Sequence, residues 1–116
     1  MQSRFESNNT ASNMCGVTLM NSQVGVLIAN VLGRLPNVKV THLPSMIRID
    51  GQNRFDTVYA DIDDEAGEEE GWFSASEFEE AMSTHYGRMV HLDDRTVMFA
   101  NPEDAAEYLD FDLKPV

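Results

Sequence analysis

Basic residues are scarce in this sequence. Eight Lys and Arg stand against twenty Asp and Glu, a formal net charge of -12 over 116 residues. A surface of that sign repels phosphate backbones and anionic headgroups, which argues against nucleic acid and membrane surfaces as partners. Cysteine is scarcer still. Cys15 stands alone, so no disulfide can close within the chain, no cysteine zinc site can be built, and the chain reads as cytoplasmic. No apolar run reaches the roughly 18 residues of a membrane-crossing helix. The opening MQSRFESNNTASNM lacks the apolar centre of a secretory signal.

Catalytic equipment is missing as well. His42, His85 and His91 form no H-x-x-x-H or H-E-x-x-H pair. Asp61, Asp63 and Glu65 alternate as in a calcium loop, but the sixth and twelfth positions, which need Gly and Glu, hold Ala66 and Trp72. There is no nucleophile elbow, P-loop or dinucleotide fingerprint. The neighbours of Cys15 do nothing to lower a thiol pKa. Carboxylates crowd the segment from Asp61 to Glu80, but in a solvated run they stay ionised and do no acid–base work. The reading is a chain without a catalytic site, a metal or a cofactor of its own.

What is present is a foldable sequence, 42% hydrophobic, of a length that suits one domain. Residues 1 to 14 are rich in Ser and Asn and read as a flexible tail. A single domain is expected over residues 15 to 116. Cys15–Met20 reads as a strand. Asn21 or Ser22 can cap a helix whose Val24, Leu27, Ile28, Val31 and Leu32 form one apolar stripe, and Gly33 supplies its stop. Alternation continues in a strand around Val38–His42 and in Met46–Asp50, with Ile47 and Ile49 on one face and Met46, Arg48 and Asp50 on the other. Asp50-Gly-Gln-Asn reads as a turn, after which Arg54–Tyr59 returns as a strand.

The acidic stretch predicts a short helix ending near Gly67. Ser74 and Glu77 have capping-box spacing and open a helix carrying Phe78, Ala81, Met82 and His85 on one side, ended by Gly87. Arg88–Leu92 and Arg95–Ala100 read as a hairpin around Asp93-Asp94. Asn101 and Pro102 start a last helix with Ala105, Ala106 and Leu109 on its apolar side. The expected architecture is α+β: two strand–helix–strand–strand units whose mostly antiparallel sheet packs against helices.

With chemistry excluded, the candidate functional residues are those suited to contact. Met46 and Arg48 share the strand face opposite the two isoleucines. Seven methionines suit irregular or moving surfaces, and core filling is the plain alternative for each. Ser83-Thr-His-Tyr-Gly-Arg88 is polar and aromatic at an expected helix-to-strand corner, where binding residues often sit on a rigid scaffold. A helix end with cations complementing its dipole explains the same residues. The residues alone therefore leave open a small acidic binding module, such as an inhibitor or adaptor of an unrelated enzyme.

Three stretches carry a resemblance: CGVTLMNSQVGVLIANVLG, LPSMIRIDG and FEEAMSTHYGRMVHLDDRTVMFA. In their order and spacing, with the acidic stretch between them, the chain resembles the regulatory, coupling or effector proteins of bacterial soluble di-iron monooxygenases. Methane monooxygenase component B and the phenol and toluene monooxygenase effectors belong to this family, and the likeness is strongest to its propane- and alkane-oxidising branch. The resemblance implies no prosthetic group. It implies a cofactor-free component that docks on a hydroxylase above its di-iron centre, promotes productive O2 activation there, and works alongside a NADH-dependent reductase. In the methane monooxygenase relatives the corresponding corner reads Ser-Ser-Thr-x-Gly-Arg and faces the hydroxylase. Aligned on the glycine, Ser83, Thr84 and His85 take the first three places, Tyr86 the next, and Gly87 and Arg88 match. The partner-binding set implied is Met46, Arg48, Ser83, Thr84, His85, Tyr86, Gly87 and Arg88.

Overall fold

The computed structural model describes residues 13–106. The expectations for residues 1–12 and for Leu109 lie outside the described residues. In chain order the elements are β1 (Met14–Met20), α1 (Gln23–Leu32), β2 (Val38–His42), β3 (Met46–Gln52), β4 (Arg54–Val58), α2 (Tyr59–Ala66), α3 (Ala75–Ala81), β5 (Met82–Tyr86), β6 (Arg88–His91) and β7 (Arg95–Phe99). They build two antiparallel sheets, ordered β2-β3-β1-β5 and β4-β7-β6.

The two sheets repeat one wiring. In the first, β1 leads through α1 to the β2–β3 hairpin, and β3 returns to pair with β1. In the second, β4 leads through α2 and α3 to the β6–β7 hairpin, and β7 returns to pair with β4. This is the α+β architecture of two strand–helix–strand–strand units that the sequence predicts. Strand β5 is the addition: it leaves the second unit and extends the first sheet along the free edge of β1.

Local signals explain most boundaries. The Ser22 hydroxyl accepts the Gly25 N–H at 3.0 Å to open α1, and the Gly33 N–H closes it on the Ala29 carbonyl. Gly67, at φ +72°, ends α2 in the left-handed conformation that glycine adopts without cost. The Ser74–Glu77 capping box is formed at the start of α3. Asn101 caps a last helical stretch at 102–106 through its Oδ1, which accepts the Glu103 N–H.

Some expectations fail, each for a physical reason. Strand β1 starts at Met14, inside the expected tail, because β3 runs to Gln52 and offers Met14 a partner. Strands β3 and β4 do not form a hairpin. Asn53, at φ +70°, turns the chain out of one sheet and into the other. Helix α3 stops at Ala81 instead of running to Gly87, and Met82–Tyr86 is strand β5. The open edge of β1 gives this segment ladder hydrogen bonds, which outweigh its helical spacing. Helix α2 starts at Tyr59, the residue expected to end β4. Ala105 is buried, while Ala106 is exposed.

The core lies between the inner faces of the sheets and the helices. Val17 and Leu19 of β1, Ile47 and Ile49 of β3, Phe55 of β4 and Met98 of β7 meet Ile28 and Leu32 of α1, Ile62 of α2 and Phe78 of α3. Tyr59, Phe73 and Phe78 contact one another edge to face, at centroid distances of 5.7 and 6.4 Å.

On the second sheet Asp56 accepts two hydrogen bonds from Arg54, at 2.8 and 2.9 Å, and one from Arg95 at 3.0 Å. The Arg54 hydrogen bonds, with help from Arg95 and against partial burial, hold its carboxyl below the usual carboxylate range. A lowered folded-state pKa contributes stability that is fully present above the unfolded value and lost as pH falls through the folded one. Asp56→Asn is therefore expected to be less stable than wild type at neutral pH, with the gap closing below about pH 4. Urea unfolding of both proteins across a pH series checks this, and a gap that stays constant into acid contradicts it.

Candidate functional site

Met46, Arg48 and Ser83 to Tyr86 fall on strands that share one sheet. Met46 and Arg48 lie on β3, and Thr84 and Tyr86 lie on β5. Strand β1 runs between them. Residues paired across neighbouring strands share a face. Thr18 of β1 pairs with Arg48 on one side and Thr84 on the other, and Gly16 pairs with Asp50 and Tyr86. Arg48–Thr18–Thr84 and Asp50–Gly16–Tyr86 therefore form two adjacent rows on the outer face. Met46 pairs with Met20, and both side chains are exposed. The expectation that Met46 and Arg48 face away from the core holds.

A side-chain network joins the two flanking strands across β1. Tyr86 Oη donates to Asp50 Oδ1 at 2.5 Å, and Arg48 Nη2 donates to the same oxygen at 3.1 Å. The Tyr86 ring lies across Gly16, where an added Cβ would stand 2.8 Å from ring atom Cε1. Partial burial of the phenol, reinforced by its bond to the carboxylate, pushes the Tyr86 hydroxyl up to about 12, so it remains a proton donor at neutral pH.

The other members sit elsewhere. Ser83 is the extra residue of a β-bulge, since Thr18 pairs with Thr84 and Leu19 with Met82. His85 pairs with Val17, on the opposite face from Thr84 and Tyr86, and is exposed at the sheet edge without joining the core. Gly87, at φ +94°, turns the chain between the sheets where an added Cβ would stand 2.7 Å from both Cys15 Cβ and the Phe99 carbonyl oxygen. Arg88 begins β6 and pairs with Phe99 in the second sheet, apart from the Arg48–Tyr86 network. Asp50, Gly16 and Thr18 stand outside the candidate set, and Met20 enters the sequence reading only as one of the methionines. Asp50 shares its alternation with Met46 and Arg48, and a glycine inside a strand signals close approach of another group; those were the available cues.

Cys15 and His91 are otherwise engaged. Burial, with the Asp50 charge nearby, pushes the Cys15 thiol up to about 12, which leaves no thiolate at neutral pH. His91 lies between Glu79 Oε2 and Thr96 Oγ1, each at 2.7 Å, and the Tyr59 hydroxyl is 2.6 Å from the same Thr96 oxygen. Because a carboxylate only accepts, the neutral-histidine chain runs from Tyr59 through Thr96 and His91 to Glu79. It ties α3 to the second sheet. A cleft of about 780 Å3 opens between the end of α1, α2 and β4, floored by Val31 and Phe55. It includes none of the candidate residues, and at its mouth Arg34 pairs with Glu65 and Arg54 with Asp56. The site this structure offers is the outer face of the four-stranded sheet: exposed, partly apolar and ordered by a carboxylate.

Comparison with known proteins agrees with the architecture. The model of the MmoB/DmpM family matches residues 13–100. The chain is 54% identical over 113 residues to the propane 2-monooxygenase effector component of Rhodococcus jostii, covering 97% of each chain. It is 54% identical over 110 residues to the effector component of the same name from a Gordonia species, covering 95% of this chain and 96% of that one. Among solved structures, a chain of a phenol hydroxylase–regulatory protein complex superposes with a TM-score of 0.66 at 16% identity, over 74% of this chain and 97% of that one. The soluble methane monooxygenase regulatory protein B superposes with a TM-score of 0.60 at 17% identity, over 90% of this chain and 74% of that one. At such identities the structural likeness speaks for the fold.

Proposed function

The chain belongs to the MmoB/DmpM family, and on that footing we propose that it is the effector component of a multicomponent monooxygenase oxidising propane or a similar small alkane. It performs no catalysis itself. It docks on a hydroxylase, which carries the di-iron centre and does the chemistry with electrons from a NADH-dependent reductase. The observation that carries this reading is the identity of 54% to a propane 2-monooxygenase effector component across 97% of both chains.

The effector acts by differential binding. A partner shifts a conformational equilibrium only by as much as its affinities for the two conformers differ. Moving the reactive conformer of the hydroxylase from 1% to 99% takes about 5.5 kcal/mol of that difference. A few well-buried anchors in an interface of standard size, roughly 1,600 Å2, are enough. Arg48, Tyr86 and the exposed Met46–Met20 pair supply anchors of the favoured types. Ser83, Thr84, His85, Gly87 and Arg88 lie along the adjoining edge and corner. The ten acids between Asp61 and Glu80 steer encounter with a basic rim.

The test is a titration of this protein into hydroxylase, reductase, NADH and alkane. Oxidation is expected to rise and saturate, with the half-saturating concentration increasing with salt. Arg48→Ala is expected to raise that concentration about thirtyfold, the loss of one central anchor. A flat response rejects the effector reading and returns the chain to an acidic module of some other enzyme.

A further inference from the structure

We infer that Asp50 is a positioning residue of the docking face: it fixes the Tyr86 ring across Gly16 and the Arg48 guanidinium beside it, so that both reach the hydroxylase as one rigid unit. This rests on the docking assignment above.

Exposure separates the three roles. The side chain of Arg48 is 52% exposed and that of Asp50 17%, while Tyr86 is 43% exposed. Arg48 and Tyr86 are open to a partner, and the carboxylate is largely covered. Its Oδ1 accepts from both neighbours, one from its own strand and one from two strands away. Bonds to an ionised acceptor are stronger than neutral ones, so a single oxygen can hold two long side chains in place.

Gly16 completes the device. Any side chain there would collide with the Ile49 carbonyl and place its Cβ 2.8 Å from the Tyr86 ring. Glycine weakens a strand interior, and here the missing side chain leaves the trough in which the ring lies. Arginine and tyrosine are the residue types that most often anchor interfaces. Both lose side-chain freedom when they dock, and ordering them beforehand removes part of that cost. The surface that fits this unit offers an acidic or carbonyl group to the outward N–H groups of Arg48 and an apolar patch to the Tyr86 ring and the two methionines.

A double-mutant cycle on the full chain tests the inference. Affinity for the hydroxylase is measured by calorimetry for wild type, Asp50→Ala, Tyr86→Phe and the double variant, at a temperature where thermal scans show all four folded. Each single variant is expected to bind about tenfold more weakly. The double variant is expected to bind no more weakly than Asp50→Ala alone, because both changes remove the same bond. Additive losses, or an Asp50→Ala affinity equal to wild type while Arg48→Ala binds weakly, overturn the positioning role and leave the docking face standing. If Arg48→Ala also binds like wild type, the docking assignment itself falls, and the positioning role falls with it.

Discussion

Gly87→Ala is expected to destabilise the protein by roughly 3–5 kcal/mol, a large share of the stability of a small domain. Two effects add at this position. At φ +94° an L side chain is strained whatever space surrounds it, a penalty of about 1–2 kcal/mol. The new Cβ would also stand 2.7 Å from Cys15 Cβ and 2.7 Å from the Phe99 carbonyl oxygen. Neither neighbour is the free end of a side chain: Cys15 is fully buried in β1 and Phe99 belongs to β7. Relief requires the two sheets to separate at the corner where β5 passes into β6.

The protein contains its own controls. Gly71, also at φ +94°, and Gly67, at φ +72°, have nothing within 4 Å of an added Cβ. Alanine at those positions is expected to cost only the backbone part, about 1–2 kcal/mol each. Urea unfolding of the three variants separates the effects. A Gly87→Ala loss no larger than that of Gly71→Ala would show that the corner gives way freely. The variant should also bind the hydroxylase more weakly, because the shift falls one residue from Tyr86.

Where local signals agreed with tertiary pairing, the fold was readable from the residues alone. Helix α1 carries a cap at Ser22, a stop at Gly33 and an apolar stripe between them, and each points to the same boundaries. Strand β5 is the opposite case. Ser74 opens a well-capped helix, and Met82 continues its apolar side, so nothing local says stop at Ala81. What ends the helix is the vacant edge of β1, more than sixty residues earlier in the chain. Non-local pairing of this kind leaves no periodic trace. The same holds for the site. Alternation puts Arg48 and Asp50 on one outward face of β3, and Tyr86 stands out as an aromatic among polar residues. That Tyr86 reaches Asp50 follows only from β1 lying between their strands. Asn53 and Gly87 mark turns in the sequence, but whether a turn folds a strand back on its neighbour or sends it into a second sheet depends on which edges are free.

Asp63→Ala is expected to cost about 3 kcal/mol, although Asp63 stands among ten acids that look interchangeable. Spacing sets it apart: Tyr59, Ile62, Asp63 and Ala66 fall on one side of α2, and Asp63 is 2% exposed. Its Oδ1 accepts the Phe73 N–H at 2.8 Å and its Oδ2 the Gly71 N–H at 3.0 Å. The loop from α2 to α3 is thus closed on one carboxylate, which sets Phe73 against Tyr59 and Phe78. Removing it strands a buried amide donor, and a buried donor without a partner costs about 1–3 kcal/mol beyond the bonds themselves. Asp63→Asn separates charge from shape. An amide has one accepting oxygen, so its NH2 group would face an N–H, donor against donor. The asparagine variant should therefore recover at most half of the loss. Full recovery would mean that the shape of the side chain suffices. If alanine itself left the unfolding midpoint unchanged, the carboxylate would be a passenger in the acidic run, and the loop would be held by the packing of Phe73 alone.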